Sequence, residues 1–109
     1  MAVSAKAVVL KVEDARRAAQ FWTSALGYQA EEGAPDFLVP SQGSGVRIHL
    51  DERDRTHLDL WLDRSTSDLE SEVQRLVGLG ARRVEWTYPN DADFVVLADT
   101  EGNLFCVVA

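Results

Sequence analysis

This chain has too little cysteine, too little positive charge and too little uninterrupted hydrophobic sequence for several classes of protein. A single cysteine, Cys106, cannot close an internal disulfide, so a disulfide-stapled scaffold is excluded and a reducing compartment is the expectation. Eleven basic residues face 18 acidic ones, a formal charge of −7. Such a surface repels duplexes and anionic lipid on average, which argues against nucleic acid as a partner. No stretch approaches the roughly 20 apolar residues that a membrane helix needs, and Met1 to Leu10 holds one lysine and no signal-like apolar run. What remains is ordinary globular composition, 46% hydrophobic and 27% charged over 109 residues, enough for one domain with a real core. The expectation is a cytoplasmic protein, a single domain over residues 1–109, without membrane contact.

Hydrophobic periodicity changes twice between strand and helix. Ala5 to Val12 alternates weakly and is valine-rich, as strands are. Ala15, Ala18, Ala19, Trp22, Ala25 and Leu26 then fall at helical spacing, with Asp14 as N-cap and Gly27 as stop. Phe21 and Trp22 are expected to anchor this helix. Extended pieces follow at Tyr28 to Glu31, Asp36 to Pro40 and Val46 to Asp51. The second half repeats the order: a strictly alternating strand at Thr56 to Asp63, then a helix opened by Ser67-Asp68-Leu69-Glu70, read as a capping box. Leu69, Val73, Leu76 and Val77 form its stripe, Gly80 ends it, and strands near Arg82 to Glu85, Asp93 to Ala98 and Leu104 to Val108 finish the chain.

The repetition reaches single residues. Asp36-Phe37-Leu38-Val39 matches Asp93-Phe94-Val95-Val96 at an offset of 57, as Gly45 matches Gly102, while Leu26-Gly27 matches Leu79-Gly80 at 53. A four-residue insertion around Tyr88 to Asp91 accounts for the difference. Carried along the strands, these offsets pair His49 with Cys106 and Ala7 with His57. A duplicated strand–helix–three-strand unit is the simplest reading, with one module over about 5–51 and the other over about 56–108.

Strand parity sorts the side chains. If Leu58, Leu60 and Leu62 pack under a helix, His57, Asp59 and Trp61 face the other way. Val46, Ile48 and Leu50 inward leave Arg47, His49 and Asp51 opposite, and Phe105 and Val107 inward leave Leu104, Cys106 and Val108. A hollow lined by Arg47, His49, His57, Asp59, Trp61 and Cys106 suits a small polar or aromatic ligand. Asp59 beside His57 could orient the imidazole or act as a general base, making these two the catalytic candidates. Cys106 reads first as a small apolar strand residue. As a thiolate it would instead be a soft ligand, with His49 and His57, for zinc. A nucleophilic role has no histidine close in sequence to support it. Trp86 and Tyr88 form either a lid or a proline-stiffened surface turn.

The runs "VEDARRAAQFWTSALGY", "HLDLWL", "EVQRLVGLGARRV" and "VLADTEGNLFCVV" together resemble the vicinal oxygen chelate superfamily, and within it the glyoxalase and bleomycin-resistance-like proteins. The resemblance spans about Ala7 to Val108. It implies an α+β fold of two βαβββ modules, each curling a mixed sheet around a cavity, and a homodimer. It also implies metal ligands on the first and last strand of each module, positions that fall on Ala7, His49, His57 and Cys106. Alanine offers no donor, and Cys106 replaces the usual glutamate. A small-molecule-binding protein without the usual four-ligand metal site therefore follows. The alternative is a lyase or isomerase, either with a single divalent ion on His49, His57 and Cys106 or metal-free, with Asp59 and His57 as acid and base.

Overall fold

Asp14 sets where the first helix begins, because its carboxylate accepts the Arg17 N–H at 3.0 Å. Glu52, far along the chain, takes a second orphan donor, the Ala15 N–H, at 2.9 Å. In the computed structural model, which describes residues 2–109, this helix, α1 (Ala15–Leu26), follows β1 (Val3–Lys11) and precedes β2 (Tyr28–Glu31), β3 (Ala34–Pro40) and β4 (Arg47–Asp51). Then come β5 (His57–Leu62), α2 (Leu69–Gly78), β6 (Arg82–Arg83), β7 (Phe94–Ala98) and β8 (Leu104–Val108). The chain divides into two compact units, Lys6–Thr56 and His57–Ala109, the second including residues 2–5.

Each unit is a mixed four-stranded sheet with one helix, an α+β arrangement. In the first, the strands run in the order β2-β3-β4-β1, β1 parallel to β4 and the others antiparallel. Leu38, Ile48 and Leu50 form its core, closed by Ala15, Ala18, Ala19 and Trp22 of α1. Phe21 departs from expectation. It is 61% exposed, because it sits about 100° around the helix from Trp22 and meets only the edge of that indole, 5.0 Å between centroids. Gly27 ends α1 at a φ of 68°, in the left-handed region where glycine avoids the Cβ clash.

The second unit orders its strands β5-β8-β7-β6, with β5 parallel to β8. Its core is Val73, Leu97 and Val107, with Leu69 and Leu76 of α2 packed alongside. Asp68 rather than Ser67 is the N-cap, its carboxylate accepting the Ser71 N–H at 2.8 Å, so the capping box reads one residue too early. Leu58, at 44% exposure, departs from expectation, as does Val46 before β4 in the first unit, at 41%. The short stripe of α2 covers Leu97 on β7 and Val107 on β8, leaving Leu58 on β5 outside that core. At the end of α2, Gly80 takes a φ of 120°, and a Cβ there would stand 2.9 Å from the Thr100 methyl. Replacing it with alanine should cost about 2 kcal/mol, seen as a lower urea midpoint with unchanged slope.

The registers also correct the repeat. Val9 faces His49 across β1 and β4 as Asp59 faces Cys106 across β5 and β8, which supports the pairing of His49 with Cys106. On the neighbouring strands, however, His49 faces Phe37 while Cys106 faces Val96. The structural offset between β3 and β7 is thus 59, and the Asp-Phe-Leu-Val match at 57 is out by two residues. Parity is unaffected, since two residues return a strand to the same face.

Candidate functional site

A tightly held turn aims the last strand. The Asp99 carboxylate accepts the Glu101 and Asn103 N–H groups at 2.9 and 2.8 Å and the Asn103 side-chain amide at 3.0 Å. These bonds, the Asn103 side chain foremost, hold its pKa below the usual aspartate value. Gly102, at a φ of 87°, completes the reversal into β8. Cys106 then lies directly beside Asp59 in the parallel β5–β8 pair. His57 precedes Asp59 by two residues and so shares its face.

These three side chains converge. One donor atom from each of His57, Asp59 and Cys106 lies within 4.8 Å of the other two. His57 Nε2 stands 3.3 Å from Asp59 Oδ1, with the imidazole 8% and the carboxylate 22% exposed. Cys106 is half-buried. A carboxylate so placed orients the imidazole, while the neighbouring thiol offers a soft donor. Trp61, two residues beyond Asp59, belongs to the same strand face and is substantially exposed.

Arg47 and His49 belong to the first unit. Arg47 pairs with Glu31 and lies over the Phe37 ring, 4.1 Å from its centroid. His49 stacks on the same ring, 4.1 Å between centroids at 12°, and its Nε2 lies 4.0 Å from the Asp51 carboxylate. Asp51 is itself fixed by the backbone N–H groups of Asp54 and Arg53, which hold its pKa below the usual value. A shallow depression of about 270 Å³ opens there, lined by His49, Asp51, Asp36 and Arg53. Phe37 escaped the sequence reading because the run Phe37 to Pro40 in β3 is continuously apolar and can be read in either phase, and Glu31, on β2, has no local signal tying it to Arg47. Ala7, the remaining family position, is buried and has no donor atom.

The inserted segment around Tyr88 is tied down. The Tyr88 hydroxyl accepts the Val96 N–H at 2.8 Å, and its ring meets Phe94 at 5.5 Å. The bond satisfies β7 beyond the reach of the two-residue β6.

A family model, the glyoxalase-like domain, matches residues 7–108. The chain belongs to the glyoxalase-like domain family. Among curated proteins no relative matches. Solved structures of similar fold include an NAD-dependent benzaldehyde dehydrogenase from Legionella pneumophila, at 14% identity and a TM-score of 0.64, over 94% of this chain and 96% of that one. Another is methylmalonyl-CoA epimerase from Mycobacterium tuberculosis, at 16% identity and a TM-score of 0.50, covering 98% and 86% of the two chains. At such identities the likeness is one of fold. No helix among the described residues is long and apolar enough to cross a membrane.

A metal site is what the resemblance to the vicinal oxygen chelate superfamily implies. Imidazole nitrogen, carboxylate oxygen and thiolate sulfur are the set that zinc accepts, and three such donors converge here. His57, Asp59 and Cys106 would hold such an ion, which would act as a Lewis acid toward a bound oxygen. The sequence expectation is His49 with His57 and Cys106; the converging set has Asp59, on the same strand as His57, in place of His49.

Proposed function

We propose that this glyoxalase-like protein binds a small polar or aromatic molecule on the β5–β8 face, with His57, Asp59 and Cys106 at its centre and Trp61 alongside. The convergence of three chemically distinct groups within 4.8 Å carries this reading. A structural role alone would not require imidazole, carboxylate and thiol on one strand pair, two of them largely withdrawn from water. Trp61 adds a flat apolar surface beside hydrogen-bonding groups, the combination that small-molecule sites use. The family's usual four-ligand metal set is incomplete here, since the position at Ala7 supplies no donor.

A thermal-shift screen with small aromatic carboxylates and carbonyl compounds tests the reading. Compounds that raise the melting temperature of the native protein should lose most of that shift in Trp61→Ala and His57→Gln. A shift that survives both replacements, or no shift from any compound at millimolar concentration, would overturn it.

The convergence also supports a second reading, a lyase or isomerase in which the same three residues hold a divalent ion. Stoichiometric zinc in the purified protein, lost in His57→Ala, would favour it over ion-free binding. A homodimer in a cytoplasmic setting completes the proposal, and sedimentation should give twice the monomer mass.

A further inference from the structure

We propose that Trp61 and Phe94 are the two walls of an aromatic clamp at the mouth of the β5–β8 site, that Tyr88 positions Phe94, and that the occupant is a planar ring carrying a hydrogen-bond-donating head. The inference rests on the β5–β8 face being a binding site and adds which ligands it selects. Strand register carries it, because directly paired residues project from the same face of a sheet. Asp59 pairs with Cys106 and Cys106 with Val96, while Trp61 pairs with Val108 and Val108 with Phe94. Trp61 and Phe94 therefore flank Val108 on the face away from α2, whose Val73 packs on the alternate residues Leu97 and Val107. The face deepens inward from this row. Along β5, exposure falls from 42% at Trp61 through Asp59 to 8% for the His57 imidazole. Along β7 it falls from the half-buried Phe94 to the fully buried Ala98. A ligand thus passes between two aromatic side chains before it meets the polar groups.

The class of ligand follows from the spacing. Two strand separations, about 10 Å, lie between the backbones that carry Trp61 and Phe94. That leaves room for one flat ring, with a contact of about 3.5–4 Å on each side. A saturated ring is thicker and offers neither wall a π face. Two residues of strand, about 7 Å, separate Trp61 from Asp59. A head attached directly to the ring spans that gap with one hydrogen bond of about 2.9 Å. The head must donate, because the Asp59 carboxylate only accepts. Tyr88 fixes the second wall. Its ring meets Phe94 at 5.5 Å between centroids and 58°, and its hydroxyl accepts the Val96 N–H, two residues along β7, at 2.8 Å. That bond holds the Tyr88 ring against Phe94, so the wall is in place before a ligand arrives.

Benzamide, cyclohexanecarboxamide and N,N-dimethylbenzamide, each titrated into the full chain and followed by backbone amide chemical shifts, test the proposal. The second lacks the planar ring and the third lacks the donating N–H. Two aromatic contacts should make benzamide bind about tenfold more tightly than cyclohexanecarboxamide, and the lost hydrogen bond should weaken N,N-dimethylbenzamide several-fold. Phe94→Leu keeps apolar bulk without a π face. It should weaken benzamide several-fold and leave cyclohexanecarboxamide nearly unchanged. Tyr88→Phe should also weaken benzamide, yet add nothing once Phe94 is leucine, a coupling that a merely structural role would not show. Equal affinities for the planar and saturated amides, an unchanged benzamide affinity in Phe94→Leu, or no benzamide binding at millimolar concentration overturns the proposal. Additive losses in the double variant overturn the role of Tyr88. Thermal shifts that vanish in Trp61→Ala and His57→Gln but persist at full size in Phe94→Leu would overturn this inference alone and leave the binding reading intact.

Discussion

Replacing Glu72 with alanine should destabilise the protein by about 3 kcal/mol, one of the two largest single effects expected. Glu72 is only 2% exposed, though it lies in the first turn of α2. Its carboxylate accepts the Ala2 N–H at 3.0 Å and two Arg75 donors, Nε at 2.6 Å and Nη2 at 3.0 Å. Removing it strands a buried amide and leaves the Arg75 guanidinium without its partner, losses that add to the vacated volume. Glu72→Gln separates the contributions. The amide can still accept from Ala2 but loses the charge facing Arg75, so about half the effect should remain. Urea denaturation at neutral pH measures both. A cost below about 1 kcal/mol for the alanine variant would show that the carboxylate is dispensable.

The same group gives the stability a pH dependence. Hydrogen bonds from Arg75, with the Ala2 amide assisting, hold the Glu72 pKa below the usual glutamate value against the opposing effect of burial. The folded state therefore binds this proton less readily than the unfolded chain does. Its stabilisation is fully present above the unfolded pKa, about 4.3, and is lost as pH falls through the lower folded value. Asp51 shares this sign through its backbone N–H donors. Stability should thus be level near neutrality and decline below about pH 5, more shallowly in Glu72→Gln.

Helix ends and strand phases were largely legible in the sequence because each rests on a local, short-range preference. Asp14, Gly27 and the alternation in His57 to Leu62 state their roles without reference to distant residues. The errors arise where several neighbouring residues satisfy the same local rule. Ser67 and Asp68 can both cap, and only the observed bond to Ser71 chooses Asp68. Phe21 and Trp22 are both aromatic, and only the angle around α1 decides which is buried. At the candidate site, parity alone placed His57, Asp59 and Cys106 on the hollow-facing side of β5 and β8, away from the helix. Their convergence depends on the β5–β8 register, which matches Asp59 to Cys106 and has no signature in either strand by itself. The stack of Arg47, Phe37 and His49 was illegible for a related reason, the undecided phase of β3.

Register also distinguishes two accounts of the duplication through core stability. By sequence match, Leu38 corresponds to Val95. By strand pairing it corresponds to Leu97, because β3 and β7 align two residues further along. Leu38 and Leu97 are each completely buried in the core of their unit, whereas Val95 is only partly covered. Leu38→Ala and Leu97→Ala should therefore each cost about 3 kcal/mol, the loss of a transferred side chain plus an unfilled cavity. Val95→Ala should cost about 1 kcal/mol, since less apolar area leaves the core. Denaturant midpoints for the three variants decide between the accounts. Equal losses at Leu38 and Leu97 follow if each leucine occupies the same place beneath its own helix, whatever the surrounding residues have become. A larger loss at Val95 than at Leu97 would mean that the sequence match describes the packing better than the hydrogen-bonded register does.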